Sequence, residues 1–169
     1  MNKNQGFSLI ELLIVVVIIG IIAAIAIPNL LASRRAANEG STIGNLRVLH
    51  SANATYASTY GHGNYAGLAA TVGISALTEL ESVQLIDSAL ATGTRAKYSI
   101  VGDRIEASGS TQAAFYFAAN PVSPTGMTQS GARRFGVATD GVIKADPAAA
   151  NLSVPFDFVS MAAAGILNN

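Results

Sequence analysis

The sequence predicts an α+β fold, with one long N-terminal α-helix packed on a small antiparallel β-sheet. Three observations predict it. An apolar run from Phe7 to Ile27 is followed, after Pro28, by apolar residues at three- and four-residue spacing as far as Tyr60. The segment Gly61-His62-Gly63-Asn64-Tyr65-Ala66-Gly67 then ends helical patterning. Beyond it, short apolar segments separated by turn residues read as strands.

The first element is the most specific. From Phe7 to Ile27 there are 21 residues, and Glu11 is the only charge among them. As a helix this run is ~32 Å long, about the thickness of a bilayer's hydrocarbon core. A charged side chain there costs ~2.5–3.5 kcal/mol even on the gentler insertion scales, so Glu11 calls for a partner. The nearest cation that processing could create is a new α-amino group at Phe7, one helical turn before it.

Three readings compete for this run. A secretory signal peptide would take Lys3 as its basic region and Ala24-Ile25-Ala26 as its cleavage site, with a mature start at Ile27. Glu11 and Gly20 both interrupt the apolar region such a signal needs, and the run is long for one. A plain membrane anchor leaves Glu11 unexplained. A prepilin has a short polar leader ending in Gly, a cut before Phe7, and a helix kept in the mature chain.

The run Gly6-Phe7-Ser8-Leu9-Ile10-Glu11-Leu12-Leu13-Ile14-Val15-Val16-Val17-Ile18-Ile19-Gly20-Ile21-Ile22-Ala23-Ala24-Ile25-Ala26-Ile27-Pro28 resembles the N-terminus of type IV pilins and type II secretion pseudopilins. Ser8 stands where threonine is commoner. The resemblance implies cleavage between Gly6 and Phe7 by a membrane-embedded aspartyl prepilin peptidase, and N-methylation of Phe7. It implies that Glu11 neutralises the Phe7 amine of a neighbouring subunit during assembly. Gly20 and Pro28 match positions where the family's helix loosens inside the filament. Independently, Pro28 lacks an amide donor and clashes with the preceding turn, so a kink or loosened segment is expected there.

The implied organisation is a cleaved leader at 1–6, a transmembrane and filament-core helix at 7–28, an amphipathic half at 29–60, and an α+β head at 61–169. The implied partners are further copies of the chain, the inner membrane before assembly, the prepilin peptidase and the pilus machinery. The precursor would be a single-pass inner-membrane protein, and the product an extracellular filament. One count opposes this orientation: Lys3 is the only side-chain cation before the span, and Arg34-Arg35 follow it.

In the amphipathic half, Ile43, Leu46, Leu49, Asn53, Tyr56 and Tyr60 form one stripe, expected to carry the head. Ala32, Ala36, Gly40 and Gly44 form a second stripe, read equally as a close-packing helix face or as simple tolerance. A connector to about Thr94 holds a short helix at Leu77–Leu85. Strands are expected at Ala96–Val101, Ala113–Ala119, Arg133–Ala138 and Val142–Ala145, the last two joined through Thr139-Asp140-Gly141. The C-terminal Val154–Leu167 is too short to span a bilayer, carries Asp157, and is expected to pack on the head.

Composition narrows the chemistry. Of 169 residues, half are hydrophobic and only 12% are charged, with ten basic and ten acidic residues. No basic block exceeds the pairs Arg34-Arg35 and Arg133-Arg134, which speaks against nucleic acid as partner. Cysteine is absent, excluding disulfides, thiolate zinc sites, CxxCH haem attachment and Cys nucleophiles together. His50 and His62 lack further ligands for a metal site and read as surface or helix-end residues. Asp140, Asp146 and Asp157 are the residues available to calcium, as in major pseudopilins, although turn and capping duty explains them equally. No cofactor is predicted. No glycine motif for nucleotides and no nucleophile elbow is present, so an enzyme is not expected. No Phe, Tyr or Trp lies between Phe7 and Tyr56, so ring contacts along a helix bundle would be sparse. The segments Ser108–Thr111 and Ser123–Ser130 read as solvated loops.

The leading expectation is a structural type IV pilus subunit. The alternative is a type II secretion pseudopilin, and the third reading is a secreted periplasmic protein.

Overall fold

Ser8, an N-cap residue type, stands before the helix α1 (Leu9–Thr59), whose 51 residues form the longest element of the chain. The computed structural model describes residues 6–109 and 112–167, so leader residues 1–5 and Ser110-Thr111 of the expected Ser108–Thr111 loop lie outside the described residues. The chain divides into two compact units, one ending at Arg34 and one beginning at Arg35.

From Leu9 onward the first unit is helix. Its large apolar side chains from Leu9 to Ile27 are all exposed, none of them less than half. Helical assignment continues through Gly20 and Pro28. Pro28 has no N–H for the preceding turn, and the adjoining carbonyls take side-chain donors. Asn29 Nδ2 donates to Ile25 O at 3.1 Å, and Ser33 Oγ donates to Asn29 O at 3.0 Å.

In the second unit α1 buries Glu39, Thr42, Leu46, Leu49, Ala52 and Asn53, a face with three- and four-residue spacing. Tyr60, expected on this stripe, lies past the helix end and is exposed, because the chain turns at Gly61. Three short α-helices follow among the described residues: α2 (Ser75–Ser82), α3 (Ser88–Ala91), capped by Asp87, and α4 (Phe158–Ala163), capped by Asp157, with a 3-10 turn at Ala149–Asn151. The short helix expected at Leu77–Leu85 therefore starts two residues earlier and stops at Ser82, with Leu85 packing on the core from beyond its end.

The sheet is an antiparallel meander of six strands in chain order. They are β1 (Thr94–Arg95), β2 (Tyr98–Ile105), β3 (Ala114–Pro121), β4 (Arg134–Ala138), β5 (Ile143–Asp146) and β6 (Gly165–Ile166). β2 begins later than the expected Ala96, because Ala96 and Lys97 form the two-residue turn between β1 and β2, both with positive φ (52° and 62°). The Asp140-Gly141 hairpin stands between β4 and β5, with Gly141 at φ +72°. The two-residue strands β1 and β6 carry too little patterning to be read from sequence.

β3 is buried on both faces, which explains its near-continuous apolar run. Phe115, Phe117 and Ala119 pack with Leu46 and Leu49 of α1, Leu77 and Leu80 of α2, and Phe135 and Val137 of β4. The alternate residues Tyr116 and Ala118 pack with Phe156 and Met161, so the C-terminal segment does cover the head. A Cβ on Gly136 would meet Met161 Cε at 2.5 Å and Phe156 Cδ2 at 3.1 Å, so that cover packs directly on the glycine.

Candidate functional site

Gly6 and Phe7 lie outside the helix, and Phe7 is 92% exposed. The Gly6–Phe7 peptide is therefore non-helical and exposed, with open space where a Gly6 Cβ would stand. Ser8, Leu9, Ile10 and Glu11 then make half of a capping box. The Ser8 N–H donates to Glu11 Oε2 at 2.8 Å, and the Glu11 N–H donates to Ser8 O at 3.1 Å. Glu11 is thus held at the first turn, where a helix dipole favours an anion. Its acceptor role is met within its own chain, while no side-chain cation stands beside it among the described residues.

The structure thus places Gly6 and Phe7 immediately ahead of Ser8, and Glu11 in the first turn of α1. Gly20 and Pro28 sit further along the same apolar helix, Gly20 facing open space. That exposed surface needs a cover of lipid or of other apolar helices.

The residues considered for metal chemistry have other partners. Asp146 accepts from Arg134 Nε at 3.0 Å, from the Ala148 N–H at 2.8 Å and from Asn151 Nδ2 at 2.9 Å. Its burial opposes ionisation, but the Ala148, Asn151 and Arg134 donors outweigh this and hold the carboxyl below the usual carboxylate range. Asp157 caps α4, and the Ser160 hydroxyl and N–H lower its pKa. Asp140 accepts from the Val142 N–H at 3.0 Å within its turn. Among the described residues no group of three His, Asp or Glu converges on one point. His50 packs on the Phe115 ring and stands 3.4 Å from Thr139 O, and His62 lies in the turn that follows α1, at φ +49°.

Glu39 was not legible as a functional or structural acid. It is buried on the α1 face one turn before Ile43, so its place on the stripe was the one available signal. Oε1 accepts from the Ala132 N–H at 2.7 Å, and Oε2 accepts from Arg133 Nε and Nη2 at 3.0 and 2.8 Å. Asn38 donates to Ser130 O and Arg35 to Gln129 Oε1, so three residues of α1 stitch the 129–133 loop to the helix. At the other end of the head, Glu79 accepts from the Tyr56 hydroxyl and from the Gly67 N–H. The bond to Glu79, with burial, raises the Tyr56 pKa.

The family model described as the prokaryotic N-terminal methylation motif matches residues 1–27. The type IV major pilin protein PilA of Myxococcus xanthus is 46% identical over 54 residues, 32% of this chain and 24% of that protein. The type IV wide pilus major component PilA4 of Thermus thermophilus is 62% identical over 39 residues, 23% of this chain and 30% of its own. Type II secretion system core protein G of Escherichia coli is 33% identical over 51 residues, 30% of this chain and 35% of its own. The chain thus spans about a quarter to a third of the length of these curated relatives. No solved structure matches it. The N-terminal segment carries the prokaryotic N-terminal methylation motif, and the chain is similar there to type IV pilins and type II secretion pseudopilins.

Proposed function

We propose that this chain is a structural subunit that polymerises into a type IV pilus after cleavage between Gly6 and Phe7, and that it has no enzymatic role. The observation that carries this is Glu11, the single charge between Phe7 and Ile27, held by the Ser8 N–H in the first turn of an exposed apolar helix that follows an exposed Phe7. In the precursor, Glu11 caps its own helix through the Ser8 N–H. Cleavage creates the Phe7 amine, which N-methylation leaves cationic. An incoming subunit exchanges the Ser8 bond of Glu11 for a charged bond to the amine of a copy already in the polymer. That bond is stronger than a neutral one in an apolar surrounding. The exposed Leu9–Ile27 surface moves from lipid to neighbouring helices, with Gly20 and Pro28 as the positions where the helix loosens on packing. The prepilin peptidase, the pilus machinery and an inner-membrane precursor stage belong to this reading.

The deciding experiment is N-terminal sequencing and mass analysis of filaments purified from the producing cell. A mature start at methylated Phe7, in fibres made of this chain, supports the proposal. A chain that keeps its first six residues, or starts at Ile27, overturns it. The similarity to type II secretion core protein G supports a second reading, a pseudopilin in a short secretion filament. Long surface fibres of this chain decide for the first reading, and export defects without surface fibres decide for the second.

A further inference from the structure

We infer that the heads of successive copies dock head to tail, the Lys97 end of one head against the Glu106 end of the next. This rests on the subunit reading above. Lys97 immediately precedes β2 and Glu106 immediately follows it, so the strand holds them ~30 Å apart, at opposite ends of the head.

The ends differ in charge. Lys97 is exposed and has no ion-pair partner among the described residues. Arg35, Arg95 and Arg133 lie at the same end, placed there by Gln129, the Arg95–Tyr98 register and the Tyr98 hydroxyl bond to Arg133 O. Glu39 and Asp87 offset them there, each already paired, and Arg134 stands beside them paired with Asp146, which leaves Lys97 and Arg35 as cations without an ion-pair partner among the described residues. The opposite end carries Glu79, Asp103, Glu106 and Asp140, with Arg104 among them. A chain of zero formal charge thus has a head with a basic end and an acidic end.

Exposed apolar side chains accompany the charges at both ends. Val122 lies beside Lys97, its N–H donating to Lys97 O at 3.0 Å. Leu68 and Ile105 flank Glu106, since Ala69 bridges to Arg104. Each end therefore offers an apolar contact beside a charge, of opposite sign at the two ends.

The backbone at Lys97 supplies an independent observation. A two-residue hairpin turn with both φ values positive is relaxed as Asn-Gly, yet here it holds Ala96 and Lys97 at +52° and +62°. Strain retained at an exposed tip points to a requirement for the side chain it presents. Because the two surfaces lie on different ends, each contact leaves a free end, and association propagates as an open polymer rather than closing as a dimer.

The test uses the full chain in its producing cell, and the absence of cysteine gives a clean background. A Lys97→Cys, Glu106→Cys double variant, treated as intact filaments with a bismaleimide, should give a ladder of covalent oligomers beyond the dimer. Each single cysteine variant should give monomer. In parallel, Lys97→Glu and Glu106→Lys should each lower filament yield roughly tenfold, and their combination should restore it. Filaments that form but give no ladder, or a double reversal as poor as the singles, overturn the contact and leave the subunit reading intact. Cross-linking that stops at dimers also overturns it. Processed wild-type chain never recovered in a filament overturns both readings.

Discussion

Glu39 and Arg133, 94 positions apart in sequence, form a two-bond ion pair that ties α1 to the loop before β4. The Glu39 side chain is one-tenth exposed and that of Arg133 is 37% exposed, so the pair sits at the edge of the core. Glu39→Ala would leave the Ala132 N–H and the guanidinium without their acceptor. The expected loss is ~2 kcal/mol, below the full cost of breaking a buried pair because Arg133 reaches solvent. Urea unfolding of the detergent-solubilised chain measures it, and a midpoint unchanged from wild type would falsify the anchoring role.

Glu11 combines a cap and a charge, and one substitution separates them. Glu11→Gln retains an oxygen for the Ser8 N–H but carries no charge. It should insert, be cut at Phe7 and leave helix content unchanged, yet lower filament yield as severely as Glu11→Val. Breaking such a charged pair away from water typically costs ~3–5 kcal/mol. Filament yields near wild type for the Gln variant would show that capping alone is what Glu11 supplies.

The strained turn sets stability against assembly. Replacing Ala96-Lys97 with Asn-Gly should stabilise the head by about 1–2 kcal/mol, since both residues occupy the left-handed region. The same change removes the Lys97 charge and should reduce filament yield. A variant both more stable and better at assembly would contradict the docking role of Lys97.

Acid and alkali should weaken the head through different residues. Asp87 is held below the usual carboxylate value by its hydrogen bond to Arg95, and Asp146 and Asp157 are lowered as well. Their stabilisation is present above the unfolded carboxylate value and is lost as pH falls through the lower folded values, so acid unfolding should set in below about pH 4. Tyr116 behaves oppositely: burial pushes its hydroxyl up to about 12. The neutral form is favoured in the fold, so this contribution is intact below pH 10 and disappears between there and about pH 12. Circular dichroism against pH checks both limbs, and Tyr116→Phe should shift only the alkaline one.

Arg134 supplies the cation for the C-terminal segment. It is 6% exposed along its side chain, pairs with Asp146, donates to Val154 O at 2.9 Å and lies 4.0 Å over the Phe156 ring. Asp146→Ala should cost ~3–5 kcal/mol by stranding that guanidinium. A calcium chelator should leave the melting temperature of the wild-type chain unchanged. A drop on chelation would return Asp140, Asp146 and Asp157 to the role of calcium ligands.

What could be read along the chain follows from local physics. The Phe7–Ile27 run needs no partner to be recognised, because length, apolarity and one acid at a stated distance from Gly6 are all local quantities. The stripe through Leu46, Leu49 and Asn53 and the Asp140-Gly141 turn are legible for the same reason, since period and turn chemistry act over a few residues. Strand edges were less legible: Ala96 and Lys97 have no turn composition and adopt a turn under strain, and β1 and β6 exist only because β2 and β5 offer them backbone partners.

The residues that tie the fold together are of the second kind. Nothing near Glu39 announces Arg133, nothing near Arg134 announces Phe156, and nothing near Lys97 says that Glu106 lies at the far end of the same strand. Such pairs are created by chain return, when packing of Phe115 and Phe117 on Leu46 and Leu49 brings distant polar groups out of water and obliges them to find one another. The sequence alone determined the apolar N-terminal helix and its single acid, and tertiary packing decided which charges were buried, which were paired, and which were left at the two ends of the head.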